Sequence, residues 1–358
     1  MKILYTTDLH GRDAYYNVIQ KEALKRKVDM VINGGDMLPK MDPLVKRQEK
    51  YINWLGKRYF PIFEKAGIHY LCCLGNDDLG IFDELFDEVC KNFEYVHNIA
   101  GRRVQIHEFE FIGFNLVADY PFPIKDRCRM DSREYIFPPQ YGIGCLSHDT
   151  GLENIGNSPE DWFAMAKTIP TLEDELKKLP LPDRMNNAVC VMHMPPASLG
   201  LDICAHDQRA SSQSVYSFLA EHQPMLSLHG HVHESYKMSG VWKAAIGRTI
   251  CVQPGQDGPQ PVFVVIDTKR LHALERFGHD TELLMVDTYA LDGQDRAIVR
   301  LEEMPDYLIK PFKKWNSDHG LPENAGSFPE GGVNAKRFKA FCDEKGIKIK
   351  LIIHRQDT

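Results

Sequence analysis

Cysteine pairs at metal-ribbon spacing are missing from this chain. Its nine cysteines are odd in number, run from Cys72 to Cys342 and include no Cys-x-x-Cys. That excludes a disulfide framework and a zinc ribbon, and leaves most of them as small buried hydrophobes. No apolar run approaches the length needed to span a bilayer. The first residues enter a polar-ended strand with no signal-type hydrophobic region, so a cytoplasmic location is expected. A surplus of positive charge is also lacking: the net charge is -7, which argues against affinity for duplex nucleic acid. Internal repeats and low-complexity segments are absent as well. What remains is 358 residues, 43% apolar and 26% charged, enough for one large domain or two modest ones.

What the chain does have is punctuation at the ends of apolar runs. Lys2 to Thr6 reads as a buried strand and stops at Asp8-Leu9-His10. In extended chain, residues two apart face the same side, so a carboxylate and an imidazole can aim at one point. Val28 to Asn33 ends in Gly34-Gly35-Asp36, and Ile68 to Leu74 ends in Gly75-Asn76-Asp77-Asp78. Amphipathic helical patterns lie between them, over Tyr15 to Lys27, Pro43 to Lys65 (where Pro61 should break or kink the helix) and Ile81 to Lys91. This βαβαβα order predicts a sheet layered with helices, whose sites gather beyond the carboxyl ends of the strands. Asp78 is expected to cap the helix near Ile81.

Arg103 to Leu116 alternates like a β-hairpin, and Asp119 to Asp161 is a long irregular stretch rich in Pro, Gly, Arg and Tyr. A loop of that length in a compact domain is usually functional. Helix is expected over Trp162 to Leu179, broken at Pro170, and again over Ser211 to His222. Strands are expected at Ala188 to Met192, before His193, and at Met225 to Leu228, before His229-Gly230-His231-Val232-His233. Further strand patterns lie at Thr249 to Val252, Val262 to Ile266 and Leu283 to Leu291. A main domain over 1–293 is expected, with the stretch at about 119–161 inserted over its site. Residues 294–358 read as a small α/β appendage that packs on the main domain or carries homo-oligomer contacts.

Asp8, His10, Asp36, Asn76, His193, His231 and His233 thus follow successive strands. Their mix of carboxylate, amide oxygen and imidazole suits divalent ions such as manganese, iron, zinc or nickel. Seven such groups are too many for one ion with an open position, and right for two ions sharing a carboxylate. His229 reads as a strand residue outside this set, and His206 as a surface residue. The cations Lys125, Arg127, Arg129 and Arg133 are the candidates for gripping a substrate phosphate. Among the aromatics of the same stretch, Tyr120, Phe122, Tyr135, Phe137 and Tyr141, packing is the expected role, with stacking on a nucleobase as the alternative.

The ordered set Asp8-x-His10, Gly35-Asp36, Gly75-Asn76, His193 and Gly230-His231-x-His233 resembles the calcineurin-like metallophosphoesterase superfamily. The resemblance implies a four-layer αββα sandwich of two mixed β-sheets and a metal-dependent phosphoric ester hydrolase. It places Asp8, His10 and His233 on a first metal and Asn76, His193 and His231 on a second, with Asp36 between them. It further implies a metal-bridging hydroxide as nucleophile, manganese as the leading ion, and Pro254-Gly255 in a loop near the site. A small phosphodiester is the first expected substrate, a phosphomonoester or phosphoprotein the second, and a binding scaffold without catalysis the alternative class. Family members commonly carry a histidine directly after the motif asparagine, and this chain has Asp77 there. Paired cations would lower the pKa of that carboxyl and weaken it as an acid. The enzyme is therefore expected to prefer good leaving groups, or to recruit an acid from the long loop, for which His148 is the candidate.

Overall fold

The computed structural model describes residues 1–205, 208–258, 260–278, 283–290, 297–300, 306–320, 332–345 and 348–354. Strands β1 (Lys2–Thr6), β2 (Met30–Asn33), β3 (His69–Cys72) and β4 (Val96–Asn98) run parallel. Parallel neighbours need crossovers, supplied by α1 (Asp13–Arg26), α2 (Leu44–Trp54), α3 (Phe60–Ala66) and α4 (Asp83–Lys91). The middle crossover is divided just before Pro61. A π-helical turn over Leu55–Tyr59 joins α2 to α3, and Pro61 stands in the first turn of α3, where a missing N–H costs little.

The hairpin β5 (Arg103–Ile106) and β6 (Phe109–Phe114) opens the second sheet. The long stretch after it is built from two small ribbons, β7 (Val117–Ala118) with β8 (Cys128–Arg129) and β9 (Cys145–His148) with β10 (Gly151–Asn154). Helices α5 (Pro159–Ala166) and α6 (Leu172–Leu176) fall on either side of Pro170, each opened by a capping box, Ser158 with Asp161 and Thr171 with Asp174. There follow β11 (Ala188–Met192), α7 (Gln213–His222), β12 (Leu226–Leu228), α8 (Ser235–Ser239), β13 (Lys243–Ile246), β14 (Thr249–Val252), β15 (Phe263–Asp267) and β16 (Glu275–Phe277).

One six-stranded sheet has the order β16-β15-β1-β2-β3-β4 and the other β13-β14-β12-β11-β6-β5. Ile3, Tyr5, Ile32 and Leu71 meet Phe111, Val189, Val191 and Leu228 between the sheets. Leu4, Val31 and Tyr70 pack outward on Tyr16, Phe60 and Phe86, and Ile112, Cys190 and Met192 on Trp162, Phe218 and Leu219. Alternate residues of each strand thus feed different layers, and the predicted αββα sandwich results. All nine cysteines are free and eight are buried. Among the described residues, no helix is long and apolar enough to cross a membrane.

The C-terminal sheet, of order β19-β18-β17-β20, consists of β17 (Leu283–Ala290), β18 (Ala297–Arg300), β19 (Gly332–Asn334) and β20 (Lys348–His354). Helices α9 (Asp306–Asp318) and α10 (Ala335–Glu344) accompany it. β17 pairs with β20 in parallel and with β18 antiparallel, which places the strand pattern at Leu283 in this sheet. A strand pattern shows that a segment is extended, not which sheet it joins. Residues 293 and 294 and His206 lie outside the described residues.

At the amino end of β3, His69 Nδ1 and His97 Nε2 lie 3.2 Å apart. Burial, then a neighbouring imidazole (His107 for His69, His69 for His97), lowers both pKa values. The unfolded chain therefore binds more protons below about pH 6.5, and stability is lost as pH falls through that range. The melting temperature is expected to drop between about pH 7 and pH 5, and less steeply in His97→Gln.

Candidate metal centre

The seven predicted donors converge at the carboxyl ends of the inner strands. Asp8 follows β1, Asp36 β2, Asn76 β3, His193 β11, and His231 and His233 β12. The loops after β1 and β2 continue their ladder, with the N–H of Asp8 donating to Gly35 O (2.9 Å) and that of His10 to Asp36 O (2.9 Å). Asp8, His10, Asp36 and His231 all have positive φ, between 47° and 69°. Such conformations strain a residue with a Cβ, and four of them on four donors mark a site whose geometry overrides local preference. Two glycines make room: a Cβ on Gly75 would lie 2.2 Å from Asp36 Oδ1, and one on Gly230 2.7 Å from Asp8 Oδ2.

One donor atom from each of Asp8, His10, Asp36 and His233 lies within 4.8 Å of the others. His10 Nε2 and His233 Nε2 are 2.9 Å apart, and His233 Nε2 is 3.6 Å from Asp8 Oδ1. On the other side, Asn76 Oδ1 lies 2.9 Å from His193 Nε2 and 2.6 Å from His231 Nδ1. Asp36 Oδ2 stands between the two groups, 3.9 Å from His10 Nε2 and 3.5 Å from His193 Nε2. Asp8 Oδ2 is buried and has no hydrogen-bond partner among the described residues. A buried carboxylate oxygen without a donor is costly unless a cation meets it, so the residues fit a divalent metal.

The protons of the site follow its charges. Burial opposes charge on His193, but Asp36 and Asp8 outweigh it and raise the pKa to about 9. Burial, then His193, lowers His231 to about 3. Ions entering the site would displace the His193 proton, so metal uptake should release protons.

Several buried groups that the sequence reading missed hold the donor loops. Asp78 does not cap α4. Its carboxylate accepts the N–H groups of Met37 (2.9 Å), Leu38 (2.7 Å) and Gly75 (2.7 Å), tying the Asp36 loop to the Asn76 loop. Gln48 Nε2 donates to Asp77 O (2.8 Å) and Asn115 Nδ2 to Leu74 O (2.8 Å). Gln253 Nε2 donates to Gly230 O and Gln256 Nε2 to Thr7 O. The Pro254-Gly255 loop lies against the site, since Gln256 N donates to His233 O (2.8 Å). No local pattern marks a buried amide whose partners come from other strands. His229 stands one residue past the end of β12, and its Nδ1–H donates to Met192 O (2.9 Å) and Met194 O (3.1 Å).

The expected cation cluster is dispersed. Lys125 is wholly buried on Asp119, and Arg127 donates through Nε to Gly75 O (2.7 Å) and pairs with Asp83. Arg129 donates to Cys128 O and Arg133 pairs with Asp174 on α6. These guanidinium groups answer backbone carbonyls and carboxylates of their own fold. His148 ends β9, exposed and 3.7 Å from Glu153 of the paired strand, and none of its described contacts reaches a metal donor. Asp77 does lie at the centre. It accepts from Asn76 Nδ2 (3.0 Å), and its Oδ2 is 3.9 Å from His10 Nδ1 and 4.0 Å from Lys40 Nζ. Burial, then the Asp36 charge, pushes its carboxyl up to about 6 against the pull of Lys40. Bound cations act in the opposite sense.

Two facing mixed sheets with acidic, amide and imidazole donors at the strand ends define a metal-dependent hydrolase. More narrowly, the chain belongs to the calcineurin-like phosphoesterase family, whose model matches residues 1–235, and is a metal-dependent phosphoric ester hydrolase. No curated protein matches it. Similar solved structures include a Thermus thermophilus protein, 17% identical over 77% of this chain and 97% of that one (TM-score 0.45). A dimetal phosphatase from Danio rerio is 11% identical over 84% and 95% (TM-score 0.41). A phosphodiesterase described as archaeal is 12% identical over 77% and 99% (TM-score 0.37).

Proposed function

We propose that the protein is a two-metal phosphodiesterase that acts on a small nucleotide-derived ester, with manganese as its first ion. The observation that carries this reading is the position of Asp36 between two donor groups, Asp8, His10 and His233 on one side and Asn76, His193 and His231 on the other. Metal ions held there would supply a nucleophile from water and neutralise charge on the phosphoryl oxygens. The chain's own groups orient the ester and set what it can release. Asp77 stands where a leaving-group acid would be useful, and a carboxylate beside cations is a poor one. That favours diesters with good leaving groups over alkyl monoesters.

A cation beside the donors is Lys40, whose ammonium lies 4.0 Å from Asp77 Oδ2. Its charge also acts on His10 and His233. An ammonium next to a metal centre is stabilised when a phosphate lies between them, so Lys40 takes the role expected of the arginines. Lys40→Ala is expected to raise KM about tenfold, the size of one charge-assisted hydrogen bond, with metal content unchanged. The defining experiment strips the protein of metal, resupplies Mn²⁺ and compares an aryl phosphodiester with the matching aryl monoester. Metal-dependent turnover that favours the diester is expected. Faster monoester hydrolysis would make the protein a phosphatase, and metal uptake without turnover of either ester would make it a scaffold.

A further inference from the structure

The five aromatic residues of the inserted stretch part into two groups. Phe137 stacks on Phe163 at 4.3 Å, and the Tyr135 hydroxyl donates to Asp119 O (2.7 Å), so these two serve the core. The other three lead away from the metal centre. The Tyr120 ring is buried and meets the ring of His231 edge-on at 5.5 Å. Phe122 packs on Tyr120 at 5.9 Å, and Tyr141 on Phe122 at 5.5 Å. The last two residues are 57% and 64% exposed. Their backbone is fastened: Tyr141 N donates to Pro121 O (2.8 Å) and Cys145 N to Pro123 O (2.8 Å). A ladder of rings therefore runs from a metal donor to solvent, and its outer rungs are large apolar surfaces left bare on a well-tied loop.

We propose that Phe122 and Tyr141 form a base-stacking subsite, so that the ester presented to the metal centre carries a planar heterocycle, as a nucleoside phosphodiester does. This rests on the phosphodiesterase reading above. Tyr120 links His231 to Phe122 through ring contacts of 5.5 and 5.9 Å, so the exposed rings lie two side chains away from a candidate metal donor. Any base offers a π-face to such a platform, whatever its hydrogen-bonding edge. A protein partner fits less well, because two side chains of roughly 150–250 Å² each fall short of the ~800 Å² per partner of a stable interface. A long polyanionic nucleic acid is disfavoured by the net charge of -7.

The test uses the full chain loaded with Mn²⁺ and two diesters with the same aryl leaving group, thymidine 5′-(4-nitrophenyl) phosphate and methyl 4-nitrophenyl phosphate. The wild type is expected to favour the thymidine ester in kcat/KM. That preference should shrink about tenfold in Phe122→Ala and in Tyr141→Ala, through KM, and be kept in Phe122→Trp. Ile136→Ala, at an 88% exposed position of the same loop, should leave the ratio as it is. In parallel, calorimetry compares adenosine monophosphate with inorganic phosphate. Tighter binding of the nucleotide, lost in the two alanine variants, supports the subsite even in a protein that turns over neither ester, in which case the phosphodiesterase reading alone falls. Equal preference for both esters and equal affinity for nucleotide and phosphate in the wild type would overturn the subsite. So would alanine variants that keep the wild-type ratios.

Discussion

Asp36→Asn is expected to reduce metal-dependent phosphodiester hydrolysis about a thousandfold, or about 4 kcal/mol of transition-state stabilisation. Asp36 is buried between the two donor groups, its Oδ2 within 3.9 Å of His10 Nε2 and 3.5 Å of His193 Nε2. Burial opposes its charge, but His193 and His10 hold the carboxyl well below its usual range, so it remains ionised. An amide keeps the shape, and its oxygen can still accept the N–H of Asp77, which donates to Oδ1 at 2.9 Å. The charge and the second anionic oxygen are lost. The variant should therefore fold, keep its circular dichroism and bind fewer than two metal equivalents. Wild-type turnover in Asp36→Asn with full metal content would remove Asp36 from the shared position and with it the two-metal reading.

Lys125→Met is expected to destabilise the fold around Asp119 by about 3–5 kcal/mol, the usual cost of leaving one partner of a buried ion pair. Neither side chain of the Lys125–Asp119 pair reaches solvent. The ammonium meets Asp119 Oδ1 (2.7 Å), Tyr120 O (2.6 Å) and Gln140 Oε1 (2.7 Å). Asp119 in turn accepts from Trp162 Nε1 (2.9 Å) and Gln140 Nε2 (2.9 Å). Burial already raises the Asp119 pKa, with Lys125 the strongest opposing charge. Without Lys125, the folded form should hold its proton further above the unfolded value near 4. Stability then falls as pH rises from about 4 towards the raised pKa, so the deficit should be larger at about pH 8 than at pH 5. Adding Asp119→Asn should recover much of the loss, which denaturant unfolding would register. Activity should fall as well, because Lys125 holds the Tyr120 carbonyl and the Tyr120 ring lies against His231. A melting temperature unchanged in Lys125→Met would show that the pair contributes nothing net.

The order of elements and the candidate metal donors were legible in the chain because both are local signals. Apolar runs of strand length, helical spacing between them, and a carboxylate, amide or imidazole just past each strand's end need no knowledge of what packs where. Parallel strands then bring those ends together whatever the rest of the chain does, which is why Asp8, Asp36, Asn76, His193, His231 and His233 meet. Charge far from a strand end has no such guide. Lys125, Arg127, Arg129 and Arg133 look alike along the chain, yet burial and partners up to 52 residues away commit them to internal contacts. The same limit hid Asp78, whose bonds to Met37 and Leu38 span 41 and 40 residues. It also hid Lys40, placed beside Asp77 only by the meeting of two loops, and the split of the five aromatics into packed and exposed rings. Which groups can hold metal, and where on the sheets they sit, is written in the order of residues along the chain. Which cations and rings are committed to internal contacts and which stay exposed is settled only on folding, because that depends on neighbours distant in sequence.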